Sequence, residues 1–199
     1  MSAANRPNHA SPWVIDARAL GRRPGSLRAV RLAAPVTEPV GLEVVAVPRG
    51  AQIDLDLRLE AVAEGVLVSG TAAATAVGVC SRCLVELTES VVAQIRELFA
   101  YPDSATAATT DDDEVERLVD DLVDLEPVVR DEVVLSLPLA PVCRPDCPGL
   151  CVECGERFDE LEPGHSHEIL DLRWAALRDR FITGDRQRTD RQEPSGAGE

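Results

Sequence analysis

Ile53-Asp54-Leu55-Asp56-Leu57-Arg58-Leu59-Glu60-Ala61 places an apolar side chain at every second position and a polar one between. That period of two marks a strand with one wet and one dry face. Glu64-Gly65 then offers a turn, and Val66 to Val79, rich in Val, Thr and Ala, predicts a second strand returning antiparallel beside the first. Beyond Cys83, Val91, Ala93, Ile95 and Phe99 alternate with Gln94 and Arg96, so a third strand completes a meander. Leu125, Val128, Val129, Val133 and Leu137, with Pro127 in the first turn and Pro138 just beyond, predict a short helix packed on the sheet. A last helix is expected from an N-cap at Asp171 through Leu172, Ala176, Leu177 and Phe181 to Gly184.

Residues 1–11 and 183–199 are polar and without periodicity, and read as disordered tails around a single domain over 12–182. Residues 102–124, dense in Asp and Glu against the lone Arg117, read as a flexible acidic loop. It serves as a solvated linker, or else as a lure for a basic protein or a self-inhibitory mimic of RNA phosphate. Apolar residues make up 45% of the 199 but aromatics only 3%, so the core must be built from Val, Leu, Ala and Ile. The net charge of -15 opposes non-specific attraction to nucleic acid, and any phosphate contact must be local. All twenty cations are Arg. They cluster at Arg18, Arg22, Arg23, Arg28 and Arg31 and again at Arg173, Arg178 and Arg180, as candidate contacts to RNA or a partner or as mates for the chain's own carboxylates. No apolar run approaches the roughly 20 residues a bilayer needs, and Met1 to Ala10 has no apolar export segment, so a cytoplasmic, membrane-free protein is expected.

Cys80-Ser81-Arg82-Cys83 is a Cys-x-x-Cys pair, and Cys143, Cys147, Cys151 and Cys154 follow about sixty residues later. In a reducing compartment such pairs hold metal rather than disulfides. Two thiolates two residues apart converge on one tetrahedral ion, and Gly149 and Gly155 supply the permissive backbone of such turns. His165-Ser166-His167 contributes two of the three histidines. Eight candidate ligands suit one or two structural zinc ions over a Cys/His segment 143–167. One layout joins Cys80, Cys83, Cys143 and Cys147, and Cys151, Cys154, His165 and His167; another closes a single zinc with Cys80, Cys83, Cys151 and Cys154. Thiolate-rich shells close completely, whereas a catalytic zinc keeps an open position. The nucleobase-deaminase order of motifs is not met, and the chain has no Walker loop, Gly-x-Gly-x-x-Gly or Gly-x-Ser-x-Gly. No enzyme is expected. The fold class is α+β: an antiparallel β-meander sheet with a short packed helix, a zinc-clipped Cys-rich segment and a C-terminal helix.

Three stretches carry a family resemblance: Cys80-Ser-Arg-Cys83-Leu84, Asp131-Glu-Val-Val-Leu-Ser-Leu-Pro138, and Val142-Cys-Arg-Pro-Asp-Cys147-Pro-Gly-Leu-Cys151-Val-Glu-Cys154-Gly155. In this order they resemble the YceD family, and Leu20-Gly-Arg-Arg-Pro-Gly-Ser26 looks like its actinobacterial members. The resemblance spans roughly residues 12 to 182. It implies ribosome biogenesis: a role in the synthesis, processing or stability of 23S ribosomal RNA, with the 23S rRNA precursor or large-subunit assembly proteins as partners, and no small-molecule substrate. Many relatives carry a Cys-x-Cys where this chain has His165-Ser-His167, an exchange that keeps zinc-ligand chemistry. The alternative from another class is a zinc- or redox-responsive regulator that binds a protein partner.

Overall fold

The computed structural model describes residues 7–111 and 114–167. The chain divides into two compact units, Met1–Gly149 and Leu150–Glu199. In the first unit the strands are β1 (Val14–Asp16), β2 (Leu27–Pro35), β3 (Val40–Leu42), β4 (Val45–Val47), β5 (Gln52–Ala61), β6 (Gly65–Val79), β7 (Glu86–Ala100) and β8 (Leu122–Asp124). The helices are α1 (Ala105–Thr109) and α2 (Glu126–Ser136).

The period-two segment forms β5, with Ile53, Leu55, Leu57, Leu59 and Ala61 buried. Burying each Leu or Ile contributes about 1.5–3 kcal/mol, enough to fix which face turns inward. β6 is the spine of the main sheet: β7 runs antiparallel along one side from Gly65–Ala100 to Val79–Glu86. On the other side β5 pairs with its first half and β4 with its end. β2 extends the sheet beyond β5, and β3 beyond β4. The three-strand meander is therefore part of a six-stranded antiparallel sheet.

Helix α2 packs on β7 and β3, which lie on opposite edges at that end, so it spans the sheet there. Val128, Val129 and Val133 are its buried stripe. It stops because Leu137, extended at ψ 143°, precedes Pro138, which disfavours the helical conformation at the residue before it.

Small residues in β6 allow close strand approach. At Gly70, with φ +151°, an added Cβ would lie 2.1 Å from the Asp56 carbonyl oxygen. Gly70→Ala must push β5 away, and a loss of about 1–3 kcal/mol is expected. Urea unfolding followed by circular dichroism measures it; an unchanged midpoint would show that β5 yields freely.

Residues 102–124, expected as a loop, contain ordered structure. Ser104 Oγ accepts from Ala107 N at 3.1 Å and caps α1. Leu122 N donates to Val119 O at 3.0 Å, closing a two-residue turn in which Asp120 and Asp121 are left-handed at φ 56° and 61°. Aspartate tolerates that conformation better than most residues. The turn delivers β8, which pairs with β1, and Leu118, Leu122 and Val123 are buried. Those apolar side chains, not the acids around them, decide the segment's structure. Similarly, residues 7–11 of the expected tail form turns, with Val14 N donating to Ser11 O. Residues 183–199, and the helix expected from Asp171 to Gly184 with Arg173, Arg178 and Arg180, lie outside the described residues.

Candidate metal centres

Cys80 and Cys83 sit in the connection from β6 to β7, where the chain must reverse direction. Cys80 N donates to Val85 O at 2.8 Å and Leu84 N to Cys80 O at 2.9 Å, curling the turn so that both sulfurs face one side. Opposite them lies the segment after α2. Ser81 N and Oγ donate to Pro141 O at 2.8 and 3.0 Å, while Arg82 Nη1 donates to Pro145 O at 3.3 Å and Cys147 O at 3.1 Å. Ser81 and Arg82 thus position the second cysteine pair. Sequence reasoning counted them only as spacers, although their place inside the Cys-x-x-Cys turn is the signal that finds them.

The result is a four-sulfur cluster of Cys80, Cys83, Cys143 and Cys147, with all ligand atoms within 4.8 Å of one another. Cys80 Sγ lies 3.8 Å from Cys147 Sγ, and Cys83 Sγ 3.7 Å from Cys143 Sγ. Four sulfurs each about 2.3 Å from a tetrahedral zinc stand about 3.8 Å apart, so these residues fit such an ion. Cys80, Cys83 and Cys147 are buried and Cys143 is exposed. Burial opposes ionisation of Cys80, but the backbone N–H groups of Cys143, Arg82 and Cys83 outweigh it and bring this thiol down to about 6. Burial, with the thiols of Cys147, Cys83 and Cys80, pushes Cys143 up to about 12. Burial also raises Cys147, partly offset by the Gly149 N–H. Cys80 thus ionises most readily, whereas a cation must displace the protons of Cys143 and Cys147.

The second unit repeats the same turn. Cys151 N donates to Glu156 O at 2.8 Å, and Gly155 N to Cys151 O at 2.8 Å. Cys151, Cys154, His165 and His167 bring their ligand atoms within 4.8 Å of one another, with Cys154 Sγ 3.6 Å from His165 Nε2. Backbone N–H groups of Cys154 and Glu153 lower the Cys151 thiol. Two sulfurs and two imidazoles also make a zinc-type donor set. The grouping is the first of the two layouts the spacing allows. The other, joining Cys80 and Cys83 to Cys151 and Cys154, is not the one found because Cys143 and Cys147 fill the first cluster.

The residue after the second cysteine is left-handed in both turns: Gly155 at φ +74°, Leu84 at φ +59°. Glycine takes this conformation freely, whereas a side chain there costs roughly 1–2 kcal/mol. Leu84 is 61% exposed, so its packing offsets little of that. Leu84→Gly is therefore expected to stabilise the zinc-loaded protein by up to about 1 kcal/mol. Differential scanning calorimetry would show a higher midpoint; a lower one would mean that the leucine makes a contact the fold needs.

The amino-terminal arginines are engaged with the chain itself. Arg22 Nη1 lies 3.0 Å from Asp103 and Nη2 3.5 Å from Asp121, and its guanidinium stacks 4.5 Å from the Tyr101 ring centroid. Arg18 Nη2 donates to Asp120 O, Arg28 Nη1 to Asp16 O, and Arg31 Nε pairs with Asp56 at 3.0 Å. Arg23 is exposed. Arg22 and Arg31 thus pair with the chain's own carboxylates, Arg18 and Arg28 donate to backbone carbonyls, and all five arginines remain exposed.

No helix among the described residues is long and apolar enough to cross a membrane. Residues 68–179 match the family model described as "Large ribosomal RNA subunit accumulation protein YceD". An uncharacterized protein of Mycobacterium tuberculosis is 53% identical over 168 residues, covering 84% of this chain and 81% of that one. One of Mycobacterium leprae is 48% identical over 169 residues, 85% of this chain and 77% of its own. The uncharacterized YlbN of Bacillus subtilis is 27% identical over 99 residues, 49% of this chain and 56% of its own. No solved structure gives a significant match.

Proposed function

The chain belongs to the YceD family, and from that premise we propose that it is a non-enzymatic cytoplasmic factor supporting the synthesis, processing or stability of 23S ribosomal RNA. The family match, whose description names large ribosomal RNA accumulation, is the observation that carries this reading. Its partners are the 23S rRNA precursor or large-subunit assembly proteins. Zinc is the metal best suited to both donor sets, and its chemistry here is structural: a closed four-ligand shell leaves no position for a substrate. Cys80, Cys83, Cys143 and Cys147 hold one ion; Cys151, Cys154, His165 and His167 hold the other.

A deletion strain tests the role. Sucrose-gradient profiles should show fewer large subunits and RNA blots less mature 23S rRNA, both restored by the intact gene. Normal gradients and normal 23S rRNA would overturn the proposal. Native mass spectrometry tests the metal separately, with two zinc ions per chain as the expected mass increment. The rival reading, a zinc-responsive regulator, draws support only from the exposure of Cys154 and His167.

A further inference from the structure

The two centres differ in what would hold the surrounding chain together without a metal. The first lies in a unit whose core runs from Trp13 to Leu137 and includes the inner faces of β5, β6 and β7. In the second unit, residues 150–167 form no helix and no strand, only an isolated bridge between Leu150 and Arg157. Among those residues Cys151 alone is buried, and it is itself a ligand. Val152 is 91% exposed and Phe158 41%. The ion pairs of Arg157 with Glu160 and Asp159, at 3.0 and 3.8 Å, are partly solvated and contribute little.

Ordering each backbone residue costs about 1–2 kcal/mol, and a segment whose leucines, Leu150 and Leu161, are only half-buried and whose one buried side chain is a cysteine has little hydrophobic gain to offset it. Where a site does not exist in the unfolded chain, the free energy of metal binding becomes the free energy of folding. Access differs as well. Cys154 and His167 are open to solvent, whereas three of the four sulfurs of the first centre are buried.

We propose that Cys151, Cys154, His165 and His167 form an exchangeable zinc site that folds residues 150–167 on binding, while the four-cysteine centre is a permanent part of the scaffold. This rests on the reading that both groups take zinc. It makes residues 150–167 a segment ordered by exchangeable zinc, whereas the first unit keeps its zinc as a fixed cross-link beside a hydrophobic core of its own. Free zinc then sets the state of the stretch immediately before Arg173, Arg178 and Arg180.

The test uses the full-length zinc-loaded protein, titrated with EDTA and sampled in parallel by native mass spectrometry and limited trypsin digestion. A one-zinc species should appear at roughly tenfold lower chelator than the zinc-free one, the scale on which a centre's surroundings tune its affinity. At that point trypsin should cut after Arg157 but not after Arg82, which lies between two ligands of the first centre. The double variant His165→Ala/His167→Ala should carry one zinc and be cut after Arg157 without chelator. Simultaneous loss of both ions, or a one-zinc protein that resists cleavage at Arg157, would overturn the proposal. Protein that carries no zinc before chelation would instead overturn the zinc reading beneath it.

Discussion

Changing Cys143 and Cys147 together to serine is expected to remove one zinc ion and to lower the unfolding free energy of the first unit by about 4 kcal/mol. The sulfur contacts join residues 60 and 67 positions apart, Cys83 with Cys143 and Cys80 with Cys147. A cross-link closing a loop of that length removes about 4 kcal/mol of conformational entropy from the unfolded chain. Serine hydroxyls are poor zinc ligands, and Cys80 and Cys83 alone supply half a shell. Ser81 and Arg82 would still hold the segment through Pro141 and Cys147 backbone oxygens, so the turn can persist while the cross-link is lost. Urea unfolding at saturating zinc reads the difference. A loss below about 1 kcal/mol would mean that those backbone hydrogen bonds, not the metal, join the two segments.

How much of this was legible in the sequence depends on how many faces of each element are buried. β5 is wet on one face and dry on the other, so alternation announces it, and α2 falls within a residue of its expected bounds because Pro127 and Pro138 frame it. β2 is an edge strand whose side chains are mostly exposed, so Arg28 and Arg31 conceal it as a basic stretch. In the acidic segment, charge counting hid the informative residues: Leu118, Leu122, Val123 and Leu125 are buried, spaced around an Asp120-Asp121 turn. All eight metal-ligand candidates were readable as residue types at metal-binding spacing. Their partition was not, because which pairs converge depends on a tertiary contact between the β6–β7 turn and the chain after α2. The arginines could be counted in the sequence but not paired, since a local excess of cations does not say which carboxylates the fold brings to them, Asp103 and Asp121 to Arg22 and Asp56 to Arg31.

Phe99→Ala, the other change of large effect, is expected to cost about 3–5 kcal/mol while both zinc ions stay bound below the lowered midpoint. Phe99 is among the largest fully buried side chains, in a core that otherwise draws its aromatic content from Trp13 and Tyr101. Its backbone partner is Val66, at the opposite end of the β6–β7 pair from the Cys80–Cys83 turn. The thirteen residue-to-residue steps from Phe99 to Glu86 along the strand span about 40 Å, so the cavity and the first metal centre share no contacts. Losses at sites that far apart add. Phe99→Ala combined with Cys143→Ser/Cys147→Ser should therefore lose about 8 kcal/mol, comparable to the whole stability of an ordinary domain. That triple variant is expected to be unfolded at 25 °C by near-ultraviolet circular dichroism, while each parent remains folded. A folded triple variant would show that the sheet core and the metal cross-link stabilise the same contacts twice over, and that the first centre is an ornament of the β6–β7 turn rather than an independent clamp on it.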